Sequence, residues 1–235
     1  MKAYYSYWYF KNALTDEECD KITNLGYSKS IQQATTKGDY YKGDKNKPQN
    51  DKTLEDYISE LKSKKLSDKE IHNILKRESY IRDSDVSWLN EQWIYDLVWP
   101  FLTGANESAG WKYDIDFAED FQFTIYNEKG FYGWHVDCNT DHKAAYTEEC
   151  KFKNYIGKIR KLSMTINLSD ETDYDGGNLK FDLGPHQKDR FIECKEIRPR
   201  GSIIVFPSSV YHQVTPVTRG VRRSLVMWAL GRPFR

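Results

Sequence analysis

Hydrophobic and polar residues alternate over most of the second half of the chain. A period of two places successive side chains on opposite faces of a strand, so this pattern predicts β-structure. Turn residues divide the alternating stretch into eight predicted strands. The predicted strands span residues 121–127, 133–138, 161–168, 178–183, 190–197, 202–206, 211–216 and 222–229. Eight short strands separated by turns predict a double-stranded β-helix, that is, a jelly roll built from two sheets.

Helical patterns dominate the first half of the chain. Thr15 and Glu18 have the spacing of a capping box, which predicts a helix that ends at Gly26. Residues 88–101 form an apolar helical stretch that we expect to be bent or broken near Pro100, because proline lacks the backbone donor and clashes with the preceding turn.

Between these helices the chain becomes polar and charged. Residues 36–50 are rich in lysine and glycine and predict a long exposed loop, and two short helices are predicted at 54–61 and 67–75. We interpret residues 37–82 as a charged insertion. The expected organisation is one domain over residues 1–235, mainly β with flanking helices, in which residues 1–119 are mainly helical support and residues 120–230 form the jelly-roll core.

Composition limits the classes of protein to consider. The chain has 35 Lys and Arg against 35 Asp and Glu, and this zero net charge argues against a globally basic nucleic-acid binder. Its four cysteines form no C-x-x-C pair, which favours a reducing compartment over a disulfide scaffold. No apolar run approaches the length of a membrane span, and the N-terminus lacks the apolar region of a signal peptide. The cytoplasm is therefore the expected location.

Three residues form a candidate metal site. His135 and Asp137 are two apart in a predicted strand, so their side chains would project from the same face, and His212 would join them if the fold brings two distant strands together. Two histidines and one carboxylate that leave several coordination positions open are typical of non-haem Fe(II) oxygenases. An H-x-D pair alone is weak evidence. A zinc site is a weaker alternative, because the spacing of Cys138, His142 and Cys150 matches no standard zinc finger.

Several further segments occur in a specific order around these residues. They are the strand–turn–strand segment 121–137, the Asp-Gly-Gly-Asn-Leu run at 175–179, residues 199–208, and residues 212–228. With these segments the chain resembles the Fe(II)/2-oxoglutarate-dependent dioxygenases, most closely their prolyl 4-hydroxylase-like branch from bacteria and phages. The resemblance extends from about residue 121 to residue 228, with a weaker match at 12–25.

The resemblance implies that His135, Asp137 and His212 bind iron and that Arg222 binds the distal carboxylate of 2-oxoglutarate. An arginine suits this role because its guanidinium group can donate two parallel hydrogen bonds to a carboxylate. Two neighbouring arginines, at positions 219 and 223, compete for the role. Strand parity favours Arg222, with Ser224 on the same face as a possible second donor.

Four more residues are candidates for the pocket. Tyr126 and Asn167 are expected to contact 2-oxoglutarate, although a buried tyrosine can equally serve packing. Tyr132 and Trp228 are expected to line the substrate pocket, whereas Trp134, on the opposite strand face from His135, is expected to pack between the sheets.

The implied activity is the hydroxylation of an unactivated C–H bond, with O₂ and 2-oxoglutarate as co-substrates and ascorbate as a candidate reductant. A prolyl residue in a peptide or protein is the favoured substrate. The alternatives are another peptidyl residue or a small molecule, and nucleic acid ranks lower because no basic, aromatic-rich groove is evident. A catalytically silent binding module and a zinc hydrolase also remain, but zinc hydrolases usually carry two histidines four apart on a helix.

Overall fold

Two β-sheets pack against each other, and two α-helices cover the outer side of the larger sheet. The computed structural model describes residues 5–34, 62–64, 66–67, 70, 82–138, 140, 144–185 and 187–234. In these parts of the chain the helices are α1 (Asp16–Ser28) and α2 (Gln92–Ser108). The strands are β1 (Trp8–Phe10), β2 (Gln32–Gln33), β3 (Arg82–Asp83), β4 (Asp85–Leu89), β5 (Phe117–Ala118), β6 (Phe121–Tyr126), β7 (Phe131–His135), β8 (Ile159–Asn167), β9 (Tyr174–Gly176), β10 (Leu179–Asp182), β11 (Phe191–Glu193), β12 (Ile203–Pro207), β13 (Tyr211–Val214), β14 (Val217–Gly220) and β15 (Arg222–Gly231).

The strand order confirms the predicted jelly roll. The larger sheet has the order β1-β12-β8-β15-β6-β4-β2, and β5 pairs with β15. The smaller sheet has the order β11-β10-β13-β7-β3, and β9 pairs with β14 in a separate ladder. Because β3 belongs to the smaller sheet and β4 to the larger one, the short segment from β3 to β4 connects the two sheets at one edge.

Three hydrophobic clusters of the described residues hold these layers together. The largest cluster joins α1 and α2 to the larger sheet and includes Ile22, Leu102 and Phe123, which are fully buried. The second cluster lies between the sheets, where Phe181 of β10 meets Phe206 of β12 edge to face, with 5.1 Å between ring centroids. Burial of large apolar side chains on both sides of the larger sheet is the main force that stabilises this arrangement.

Helix α1 begins as the sequence predicts but does not end there. Thr15 and Glu18 make both reciprocal hydrogen bonds of a capping box. The prediction that the helix ends at Gly26 is wrong, because α1 continues to Ser28. Gly26 is instead a point of close approach, since a Cβ atom at this position would lie 2.4 Å from the ring of Phe123.

Helix α2 also differs from its prediction. Trp88 belongs to strand β4, and the helix begins only at Gln92. The chain is not broken at Pro100, because α2 runs through it to Ser108. The buried side chains of α2, among them Leu102, pack in the largest hydrophobic cluster, and this packing favours continuation of the helix beyond the proline. Neither α1 nor α2, the helices of the described residues, combines the length and the apolar character that crossing a membrane requires.

Several strand boundaries also differ from the predicted ones. Strand β7 ends at His135, so Asp137 lies just beyond the strand rather than within it. The predicted strand at 211–216 ends at Val214, and the predicted strand at 190–197 is strand only over β11 before a short 3-10 turn at Lys195–Ile197. Gly176 allows a close backbone approach, because its φ is 72° and a Cβ atom would lie 2.3 Å from the carbonyl oxygen of Pro216.

Other predictions concern parts of the chain that the structure does not describe. The loop at 36–50 and the helix at 54–61 lie outside the described residues, as does most of the helix predicted at 67–75. Ser67 and Glu70 are described, and they make the two hydrogen bonds expected of a capping box. All four cysteines are free, in agreement with the absence of a predicted disulfide scaffold.

Candidate active site

The three candidate metal ligands converge on one end of the smaller sheet. His135 on β7 and His212 on β13 are direct cross-strand partners. Asp137 lies two residues beyond His135, where its backbone N–H donates to the carbonyl oxygen of Ser208 over 2.9 Å. This hydrogen bond holds the residues that follow β7 beside the two histidines. The antiparallel pairing of β7 with β13 brings His212 next to His135 despite their separation in the sequence.

The distances within this group suit one metal ion. Asp137 Oδ1 lies 3.6 Å from His135 Nε2, and Asp137 Oδ2 lies 3.7 Å from His212 Nε2. The three ligand atoms all lie within 4.8 Å of one another. Among the described residues, no other group of three or more His, Cys, Asp or Glu side chains is placed in this way.

Backbone carbonyl groups orient both imidazole rings. His135 Nδ1 is 2.7 Å from the carbonyl oxygen of Gly133, and His212 Nδ1 is 2.9 Å from that of Val210. A carbonyl oxygen can only accept, so Nδ1 carries a proton in each ring, and Nε2 faces the space between the ligands. Such contacts from the second nitrogen are typical of metal-binding histidines.

A pair of serines, which sequence reasoning missed, fixes the carboxylate. Ser163 on β8 donates a hydrogen bond from Oγ to Asp137 Oδ2 over 2.6 Å, and its Oγ is 2.9 Å from Ser208 Oγ. Ser163 lies on the larger sheet and Asp137 follows a strand of the smaller one, so the bond joins the sheets at the site. Both serines are buried, but the sequence pattern does not indicate which polar group they contact.

The protonation states also suit metal binding. Burial, followed by the charge of His135, lowers the pKa of His212 to about 4, so this ring is neutral at pH 7. Burial alone would raise the pKa of Asp137, but the two histidines outweigh it and hold this pKa well below its usual range. A carboxylate and a neutral imidazole are forms that bind a cation without first losing a proton.

Arg222 lies in the same cavity, at the start of β15. It is cross-strand to Tyr126 and only 1 % exposed. Its guanidinium carbon is 5.4 Å from the centre of the Tyr126 ring, yet its buried Nε has no hydrogen-bond partner, and no carboxylate of the described residues pairs with it. A buried cation without a counter-charge is costly, so this position fits a carboxylate supplied by a ligand.

The two competing arginines are placed differently. Arg219 is exposed and donates from Nε to Asp175 over 2.6 Å. Arg223 donates from Nε to the hydroxyl of Tyr27, outside the cavity. The parity argument therefore separates these residues in the way that the sequence indicated.

A glycine leaves room for Arg222. Gly177 has a φ of 58°, and a Cβ atom there would lie 2.9 Å from Arg222 Cδ. Only glycine adopts this backbone conformation readily and spares that space. The Asp-Gly-Gly-Asn run of the sequence thus has a physical role beside the arginine.

Two of the other residues expected to contact the co-substrate line the cavity, and one does not. Tyr126 and Ser224 both lie on its wall. Asn167 donates from Nδ2 to the carbonyl oxygens of Ser169 and Arg198, at 2.9 and 2.7 Å. These bonds use both amide hydrogens, and Asn167 is not part of the cavity wall.

Comparison with known proteins identifies the family that carries this arrangement. Residues 121–230, which contain all three ligands and Arg222, match the model of the 2OG-Fe(II) oxygenase superfamily. This match covers just under half of the chain, and over that part the chain is similar to the superfamily. A PKHD-type hydroxylase of Alteromonas mediterranea is 36 % identical over 107 residues, which are 45 % of this chain and 41 % of that protein. The alignment therefore spans about two fifths of the length of that relative.

Solved structures share this fold over almost the whole chain. The viral collagen prolyl hydroxylase of Paramecium bursaria Chlorella virus-1 matches with a TM-score of 0.55 at 15 % identity, covering 97 % of both chains. A prolyl hydroxylase of Trichoplax adhaerens, solved with a hypoxia-inducible-factor peptide fragment, matches with a TM-score of 0.53 at 14 % identity over 95 % of this chain and 83 % of that one. At these identities the likeness concerns the fold.

Aromatic residues form the cavity wall beside the three candidate metal ligands. Tyr132 stacks on His135, with 3.5 Å between ring centroids and 11° between the planes. Trp228 also lines the cavity, its indole N–H has no partner among the described residues, and the guanidinium of Arg160 lies 3.9 Å from its ring. Burial, together with the charge of Asp137, raises the pKa of Tyr132 to about 12, so its hydroxyl stays neutral.

The prediction that Trp134 packs between the sheets is wrong. Trp134 is half-buried and stacks against Tyr211, which is exposed, at 5.8 Å between ring centroids. Tyr211 and Trp134 each precede a metal ligand in the sequence, so strand alternation turns them to the outer side of the smaller sheet.

Proposed function

We propose that the chain is an Fe(II)- and 2-oxoglutarate-dependent dioxygenase that hydroxylates an unactivated C–H bond, with a prolyl residue of a peptide or protein as its substrate. The observation that carries this proposal is the buried Arg222, which pairs with no carboxylate of the described residues and lies in the same cavity as His135, Asp137 and His212. A metal site alone would fit many reactions. An adjacent buried cation adds a requirement for an anionic co-substrate.

The residues present fit the metal and the co-substrate. Two imidazole nitrogens and one carboxylate are the donor set of non-haem Fe(II) oxygenases, and they leave coordination positions open. When bound, the metal together with 2-oxoglutarate and O₂ supplies the oxidising chemistry for hydroxylation, and ascorbate would serve as a reductant that maintains Fe(II).

The protein itself contributes position, charge and exclusion of water. The two histidines and Asp137 would hold the metal through three neighbouring ligand atoms. Arg222 would orient 2-oxoglutarate by a charge-assisted pair with its distal carboxylate, and Tyr126 and Ser224 would contact the same molecule. Because Arg222 and His212 are buried, these contacts occur at low dielectric, where they are stronger than in water.

The substrate assignment depends on the cavity wall and on the relatives. Tyr132 and Trp228 offer apolar aromatic surfaces near the metal ligands, which suits a compact ring such as that of proline. Two of the structural neighbours carry the name prolyl hydroxylase, and one of them was solved with a peptide. Another peptidyl residue or a small molecule is the alternative that the same cavity could accept.

Turnover of 2-oxoglutarate tests the reaction class. The purified chain with Fe(II), ascorbate and O₂ should convert 2-oxoglutarate to succinate, and Asp137→Ala should abolish this conversion because it removes a metal ligand. Asp175→Ala is the matched control, since Asp175 is an exposed carboxylate paired with Arg219. Peptide libraries analysed by mass spectrometry should then show products that have gained one oxygen atom.

The alternatives give different results in the same experiment. A silent binding module would form no succinate under any condition. A zinc hydrolase would also form no succinate, since its hydrolytic reaction needs neither O₂ nor 2-oxoglutarate. Equal turnover in wild type and Asp137→Ala would remove Asp137 from the ligand set. If free amino acids gain an oxygen atom and peptides do not, the substrate is a small molecule and not a peptidyl residue.

A further inference from the structure

A second arginine reaches the cavity from the segment that connects the two sheets. Arg82 on β3 is the cross-strand partner of Tyr132 and contributes to the cavity wall. Its guanidinium carbon lies 4.7 Å from the centre of the Tyr132 ring, which in turn stacks on His135. Arg82 is therefore separated from a metal ligand by a single aromatic ring.

The contacts of Arg82 hold it in place without neutralising it. Its Nε donates to Ser84 Oγ and one Nη2 hydrogen donates to Gln122 Oε1, each over 2.8 Å. A longer contact of 3.5 Å reaches Thr124 Oγ1. All three acceptors are uncharged, and within the described residues nothing accepts a hydrogen bond from Nη1. Since a guanidinium has five N–H donors, the Nη1 hydrogen atoms of Arg82 remain available for a ligand.

The balance of charges in the cavity leaves this arginine unmatched. If the proposed function holds, Arg222 pairs with the distal carboxylate of 2-oxoglutarate, while Asp137 and the other carboxylate of 2-oxoglutarate offset the two charges of Fe(II). The positive charge of Arg82 then remains, on the partly buried wall of the same cavity. Electrostatic complementarity requires a negative group on the substrate at this point.

We propose that Arg82 binds a carboxylate of the substrate, so that the preferred substrate carries an acidic group close to the carbon that is hydroxylated. This inference rests on the proposed function and refines it. The carboxylate could be the terminal group of a prolyl peptide, that of a free amino acid, or an acidic side chain next to the target residue. These sources share one chemistry and differ in the molecule that presents it.

Matched pairs of ligands test the proposal. One pair is a prolyl dipeptide as its free acid and as its C-terminal amide, and a second pair is an end-blocked peptide with Asp or Asn beside the prolyl residue. Free proline and prolinamide form the third pair. The wild-type chain should favour the acid in at least one pair by roughly ten- to hundredfold in kcat/KM, the range expected for one charge-assisted contact. The pair that shows the preference identifies the source of the carboxylate.

Substitutions assign the preference to Arg82. In Arg82→Gln the acid and the amide should react equally well, and Arg82→Lys should keep part of the preference because it retains the charge but loses the fork. Arg190→Gln is the matched control, because it also removes one positive charge, but from an exposed arginine that pairs with Asp182. This control should keep the wild-type preference.

A binding measurement provides a readout that does not depend on catalysis. Isothermal titration calorimetry of the chain loaded with Mn(II) and 2-oxoglutarate, under anaerobic conditions, should show tighter binding of the acid than of the amide, and this difference should vanish in Arg82→Gln. Thermal melting of each variant establishes that it is folded.

The outcomes separate this inference from the proposed function. Equal binding of acid and amide in all pairs by the wild-type chain would overturn the role of Arg82, as would an equal loss for acid and amide in Arg82→Gln, which would make the residue a structural support. If 2-oxoglutarate turnover occurs without acid preference, the proposed function stands and the inference fails. If Arg82-dependent acid binding occurs without turnover, the carboxylate-binding role of Arg82 stands, whereas the proposed reaction fails.

Discussion

Replacement of Arg222 by methionine should affect stability and ligand binding in opposite directions. Methionine keeps an unbranched, apolar chain of similar reach and removes the charge. Without a ligand, Arg222 is 1 % exposed and its Nε has no hydrogen-bond partner in the part of the chain that the structure describes. An unsatisfied buried donor costs about 1–3 kcal/mol, whereas the contact with the Tyr126 ring returns about 0.5–1 kcal/mol. We therefore expect Arg222→Met to stabilise the ligand-free chain by about 1 kcal/mol, or roughly 2–4 °C in Tm.

Binding of 2-oxoglutarate should weaken in the same variant. Loss of the charge-assisted pair should cost about 2–3 kcal/mol, which corresponds to a roughly 30- to 150-fold increase in Kd. A ligand present at about 100 times its Kd stabilises a protein by about 2.7 kcal/mol. The wild-type chain should therefore show a large rise in Tm with Mn(II) and 2-oxoglutarate, and Arg222→Met should lose most of this rise at the same concentrations.

Differential scanning fluorimetry and calorimetric titration measure both effects. Arg223→Met is the control, because Arg223 is on the same strand but contacts Tyr27 outside the cavity. The reasoning would be refuted by a variant that binds 2-oxoglutarate within threefold of the wild type. It would also be refuted if Arg223→Met, and not Arg222→Met, lost the ligand-induced rise in Tm.

Three further changes follow from individual contacts. Ser163→Ala should weaken metal binding by about 10- to 100-fold, measured by metal titration, because it removes the hydrogen bond that orients Asp137. Gly26→Ala should destabilise the chain by about 1–3 kcal/mol in urea unfolding, since the new methyl group would overlap the Phe123 ring. Cys19, whose pKa burial raises to about 11, should stay unreactive toward a thiol reagent at pH 8 until the protein unfolds.

Two of these changes have a control variant in the same chain. Ser87→Ala removes another buried serine hydroxyl, which donates to the carbonyl oxygen of Gly26, and should leave metal affinity unchanged. Gly104→Ala, in α2, meets only Phe10 at 4.0 Å and should stabilise rather than destabilise the chain. Equal destabilisation by Gly26→Ala and Gly104→Ala would show that close packing at Gly26 does not cause the loss of stability. Rapid labelling of Cys19 in the folded chain would show that its environment opens readily.

The sequence by itself determined the fold class and the residue types of the site. Alternation with a period of two requires strands that bury one side, and the order of the segments around His135, Asp137, His212 and Arg222 is specific enough to indicate the family. The capping box at Thr15 is equally local, because its hydrogen bonds join residues three apart. Such features depend on neighbours in the chain, and therefore they can be recognised without knowledge of distant contacts.

Only the tertiary structure decided the remaining features. Gly26 marks no helix end, because a ring from another element, Phe123, occupies the space beside it. Asp137 lies beyond its strand, and Ser163 on the opposite sheet orients it. Arg82 belongs to the cavity because β3 pairs with β7. These properties arise where residues far apart in sequence meet, and the packing and hydrogen bonds made there can outweigh local preferences that differ by only about a kcal/mol per residue.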